Sequence, residues 1–84
     1  MQEFMRKFTQ LDGLKVKVLL EHCLFDKQLF YCDKLQTIND NERVGVNLMG
    51  REIFLYKQDI KIVEAQSDIY MISDGRMGII VNKL

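Results

Sequence analysis

Eighty-four residues with 48% hydrophobic content suffice for one small core and leave no length for a second domain. Twelve basic and twelve acidic side chains cancel, which excludes a strongly basic, non-specific nucleic-acid binder; positive charge must be local or multiplied by assembly. No apolar run approaches the roughly 18 residues of a membrane span and no secretory h-region opens the chain, so the expectation is a cytoplasmic protein with no membrane partner.

Gln2 to Leu11 predicts a short amphipathic helix. Phe4, Met5, Phe8 and Leu11 recur at helical spacing, Glu3 lies in the first turn, and Arg6 and Lys7 lie further along. Gly13 is the expected terminator. So short a helix cannot persist alone and must dock its aromatic face on the rest of the chain. From Leu14 the period becomes two. Leu14, Val16, Val18 and Leu20 point one way, and Lys15, Lys17, Leu19 and Glu21 the other. A polar step over Phe25-Asp26-Lys27-Gln28 leads to a second long strand, Leu29 to Ile38, whose apolar residues change phase around Asp33-Lys34. Such a phase change marks a bulge or strong bend.

Cys23 and Cys32 fit no paired zinc-ligand spacing, and His22 is the only histidine. A hairpin turning at Lys27-Gln28 would bring the two thiols face to face as a disulfide; the other reading, buried free thiols, suits a reducing compartment. No metal or other cofactor is expected.

Asn39-Asp40-Asn41-Glu42 is a turn by composition. Beyond it Val44, Val46 and Leu48 alternate with Arg43, Gly45, Asn47 and Met49, the clearest half-buried strand in the chain, and Gly50-Arg51 turns again. Two runs rich in Ile, Val, Phe and Tyr follow, Glu52–Tyr56 and Ile60–Ala65, separated only by Lys57-Gln58-Asp59. So short a step forces a sharp corner, which suits a small curved barrel. Finally, Asp74-Gly75 between apolar runs, Asp68–Ser73 and Met77–Val81, is a hairpin signal. The chain is thus predicted to be one mainly-β domain, with a helix over 1–13, a five-stranded bent barrel over 14–65 and an extra hairpin over 66–84.

A helix followed by five bent antiparallel strands is the order of the Sm/Lsm family, whose bacterial branch is Hfq. Two stretches carry the resemblance. Tyr56-Lys57-Gln58-Asp59-Ile60 is similar to the family's Y-K-H-x-I segment between the fourth and fifth strands. Ile38-Asn39-Asp40-Asn41-Glu42-Arg43-Val44 lies without a gap over its apolar-Asp-x-x-x-Asn-apolar turn. Gln58 stands in place of the family His, Arg43 in place of the Asn, and Asn41 at the position that often stacks on a base; the bend usually made by Gly falls near Asp33. The resemblance runs from the helix to about Ala65. It implies an SH3-like barrel and a cyclic homo-oligomer, in which the edge of one subunit's fourth strand joins the fifth strand of the next. It also implies single-stranded RNA bound near the pore.

Some of this has independent support. An apolar strand edge such as Ile53-Phe54-Leu55-Tyr56 has to pair with something, and ring closure would turn one Lys57 into a circle of positive charge. The candidate RNA-binding residues are Lys57 for electrostatics, Gln58, Asn39 and Asn41 for hydrogen bonds, Arg43 for stacking or phosphate contact, and Tyr56 as the nearest aromatic. The alternative is a structural or protein-interaction ring that touches no nucleic acid, because fold alone does not fix function. No catalytic signature is visible: there is no glycine-rich phosphate loop and no serine triad pattern, and a lone His22 reads as structural. The expectation is a non-enzyme.

Overall fold

In the computed structural model the described residues are 2–84, without the side chain of Phe25. The helical spacing of the first apolar residues produces α1 (Gln2–Thr9), which buries Phe4, Met5 and Phe8 on one face. It tightens at its end through bonds from Gln10, Leu11 and Asp12 to the carbonyls three residues earlier. Gly13, at φ +81°, then turns the chain so that its N–H donates to the Leu35 carbonyl at 2.6 Å. The helix exit is thereby fastened to the middle of the chain.

Eight strands follow, all antiparallel to their neighbours: β1 (Val16–His22), β2 (Phe25–Cys32), β3 (Gln36–Asn39), β4 (Arg43–Leu48), β5 (Arg51–Tyr56), β6 (Ile62–Gln66), β7 (Ile69–Ser73) and β8 (Met77–Lys83). They form a five-stranded sheet of order β2-β1-β8-β7-β6 and a three-stranded sheet of order β3-β4-β5. One face of each sheet is buried against the other. Val16, Val18, Ile72, Ile79 and Val81 come from the larger sheet, Val44, Val46, Leu48 and Leu55 from the smaller, and α1 adds its aromatic face. The mainly-β expectation with a short N-terminal helix is met at this level.

Several finer expectations are not. The first hairpin turns at Cys23-Leu24, with His22 opposite Phe25, so the polar residues 26–28 lie in β2 and not in a turn. They are polar because β2 is a sheet edge with one face in water. Cys32 sits opposite Val16 at the far end of that hairpin from Cys23, and both thiols are free; neither is fully buried, because Cys23 falls in the exposed turn and Cys32 is only half-buried. The long second strand is two strands: at Asp33-Lys34 the chain leaves one sheet and enters the other. Lys57–Asp59 forms one 3-10 turn, and β5 and β6 on either side of it belong to different sheets. The bend is therefore a crossing between layers, and the closed-cylinder argument for ring assembly does not carry over to it. The last hairpin is also no appendage. β8 pairs with β1 along its length and β7 pairs with β6, which puts the hairpin in the middle of the larger sheet.

Tight local packing shows most clearly at Gly45 on β4, opposite Phe54 of β5. A Cβ there would run into the Ile53 carbonyl oxygen and come within 2.5 Å of the Phe54 Cα. Backbone cannot yield as a flexible side chain can. Gly45→Ala should therefore destabilise the fold by about 3 kcal/mol or more, read as a drop in the urea midpoint. A neutral midpoint would show that β4 and β5 can separate without loss.

Candidate nucleic-acid interface

Two loops meet at one end of the smaller sheet. The first, joining β3 to β4, is organised by Asp40. Its Oδ1 accepts from the Glu42 N–H at 2.9 Å and the Arg43 N–H at 2.7 Å, while Oδ2 accepts from Arg43 Nε at 2.8 Å. The second is the 3-10 turn Lys57–Asp59. They are tied together by the Lys57 N–H, which donates to the Glu42 carbonyl at 2.7 Å. Between them lies a cleft of about 290 Å³ lined by Asn41, Glu42, Tyr56, Lys57 and Gln58. That volume is near the lower end of the range for small-molecule sites, roughly 300–1,000 Å³.

Four of the six nominated residues thus meet at one place, from stretches separated by a whole hairpin. Tyr56 is 47% exposed, and its ring meets Phe54 edge-on at 5.5 Å and 88°. Phe54 in turn carries the Arg43 guanidinium 4.8 Å above its face. Arg43, Phe54 and Tyr56 form a chain of ring contacts that fixes how the tyrosine stands.

Arg43 itself is committed elsewhere. It pairs with Asp40 at 2.8 Å and with Glu52 at 3.3 Å. These hydrogen bonds, Asp40's first, hold its pKa above the ordinary value. It is a brace for the loop and the aromatic pair, outside the cleft lining. Asn39 also lies outside that lining, at the end of β3 opposite Val44. Sequence reasoning missed two features here. Glu42 faces the cleft, so the one ammonium, Lys57, is countered by one carboxylate. Asp40 builds the loop, and the signal for it was the short step from Asp40 to the Glu42 and Arg43 N–H groups that an Asx turn uses.

A neutral cleft with an exposed phenol ring and two amides is suited to a flat polar heterocycle more than to a phosphate. Elsewhere, burial and then the charge of Asp33 push the Cys32 thiol up, which lowers its thiolate content. Among the described residues no group of three His, Cys, Asp or Glu side chains is placed to hold a metal ion. Comparisons with protein-family models, with characterised proteins and with solved structures return no match.

The loops carry an acid-sensitive component of stability. Asp40 is held below the usual carboxylate range first by the Glu42 N–H and then by the Arg43 side chain and N–H. At the β7–β8 turn, Asp74 is lowered chiefly by the Met77 N–H, and it accepts from the Met77 and Arg76 N–H groups at 2.7 and 2.8 Å. A carboxylate with a depressed native pKa stabilises above its unfolded value, about 4, and that stability is lost as pH falls toward the native one. Wild-type stability should therefore decline below about pH 4, and Asp40→Asn plus Asp74→Asn should lower the neutral plateau and flatten the acid limb. Parallel curves for the two proteins would remove these turns as the cause.

Proposed function

We propose that this chain is a non-enzymatic binding module that takes an unpaired base of single-stranded RNA into the cleft between Asn41-Glu42 and Tyr56-Lys57-Gln58. Tyr56 supplies the stacking surface. The amides of Asn41 and Gln58 supply donors and acceptors for the base edge, and Lys57 meets the adjoining phosphate. The observation that carries this reading is the convergence of an exposed, braced aromatic with two amides and one ammonium at a single cleft. Because Glu42 offsets Lys57, stacking and edge hydrogen bonds supply most of the affinity, and recognition by phosphate charge is minor. A second reading, an interaction module that binds no nucleic acid, is favoured by the exposed apolar residues of the larger sheet, Leu29, Tyr31, Ile62 and Ile69.

Fluorescence anisotropy with short uridine-rich and adenine-rich RNAs, across a salt series, tests the proposal. Saturable binding with a shallow salt slope is expected. Tyr56→Ala should cost about 1–3 kcal/mol per bound base, roughly five- to 150-fold in affinity. Lys57→Ala should reduce the slope by about 0.7, the share of one phosphate on a single strand. Absence of saturable binding to any oligomer, or binding indifferent to Tyr56→Ala, overturns it.

A further inference from the structure

The larger sheet has one face in the core and, among the described residues, an outer face on which Leu29, Tyr31, Ile62 and Ile69 stand exposed. Read across the ladders, the outer face carries three parallel rows. The middle row is Leu29, Leu19, Ile80 and Met71, an apolar line over four strands that ends at Glu64 on β6. On one flank stand Tyr31, Lys17, Asn82, Ile69 and Gln66, with Tyr31 71% and Ile69 46% exposed. On the other stand Lys27, Glu21, Gly78, Ser73 and Ile62; Lys27 and Glu21 are 3.4 Å apart. Gly78 and Ser73 have little or no side chain, and the flank sinks there into a depression of about 790 Å³ that reaches the adjoining turns.

We infer that this face is a dimer interface whose occupant is a second copy of the chain, packed sheet to sheet with a two-fold axis along the apolar row. The axis direction follows from what lies on each flank. A rotation about the middle row sets every apolar residue of that row against its own copy, so the line closes on itself without mismatch. It exchanges the two flanks. Lys17 and Glu21, two residues either side of Leu19 on one strand, then meet the second copy's Glu21 and Lys17. Like charges would meet instead if the axis ran normal to that row through Leu19, along the strand. Ile69, which projects, comes over the second copy's Ser73 beside the side-chain-free Gly78, and Tyr31 comes under its Lys27. Relief on one flank matches the hollow on the other.

Five strands at about 4.8 Å spacing and about five residues at 3.3 Å give a face of roughly 24 by 17 Å, about 400 Å² in projection per copy and about 800 Å² for two, to which side-chain relief adds toward the roughly 1,200 Å² at the lower bound of specific interfaces. Glu64 falls at the rim, where its charge remains in water.

Sedimentation equilibrium on the whole chain tests this, without RNA and so independently of the cleft. The wild type should weigh twice its 9.9 kDa at concentrations up to about 100 µM, or an even multiple of it. Ile80→Lys should weaken the dimer by about a hundredfold or more and halve the mass, with the circular dichroism spectrum retained because the side chain points away from the core. Lys17→Glu should weaken it too, and Lys17→Glu with Glu21→Lys and Lys27→Gln should restore it, the last change removing the repulsion that Glu21→Lys alone would meet from Lys27; this set keeps the test open should Ile80→Lys fail to fold. A monomeric wild type overturns the inference, as does a mass unchanged by Ile80→Lys, which is what assembly through strand edges would give. A charge swap that fails to restore the dimer overturns the proposed axis and the interface with it.

Discussion

The fold depends on the buried faces of two sheets that share no hydrogen-bonded edge, with the aromatic face of α1 packed into their common core. Phe8 is the largest fully buried side chain, Phe4 stacks on it with ring centres 5.7 Å apart, and Phe4 also touches Tyr70 of β7 at 6.4 Å. The helix contacts β3 from the smaller sheet and β6 from the larger. Full burial of one such ring is worth about 2–3 kcal/mol, a large share of what an 84-residue core can offer. Eight helical residues thus touch both layers and extend the core in which the two buried sheet faces meet.

Because the layers are separate, the chain has to cross between them, and the crossings give the molecule its chemistry. At Asp33-Lys34 the crossing is tied down by the Gly13–Leu35 bond. At Lys57–Asp59 it passes beside the Asp40 loop and is bound to it through Glu42. A crossing cannot use the regular ladder, so its polar groups turn to side chains and to neighbouring loops. The result is a small cluster of oriented amide, phenol and ammonium groups on a rigid base.

The parts of this arrangement that depend on short-range pattern were legible. The helix was readable from the spacing of Phe4, Met5 and Phe8, and β4 from the alternation of Val44, Val46 and Leu48. The change of phase near Asp33 marked the place where the chain changes sheets, although it does not say that the strand divides. Residues 26–28 were misread because an edge strand with a wet face has the composition of a loop. The pairing of β1 with β8 joins segments at opposite ends of the chain, and no local pattern carries that information. Asn41, Tyr56, Lys57 and Gln58 could be singled out from two turns and line one cleft, whereas the pairing of Arg43 with Asp40 and Glu52 could not be read in advance. That difference lies in side-chain geometry, which residue type alone does not contain.

The pairing of Val16 through His22 with Met77 through Lys83 also bears on how the molecule reaches this state. The meander β3-β4-β5 closes through short turns and can form on its own timescale. The larger sheet has no centre until nearly the whole chain has been searched for a partner to β1. Loop-closure entropy must be met before that ladder returns anything, so high contact order falls on one sheet and low contact order on the other. Until β8 arrives, β1 is an open edge along its whole length.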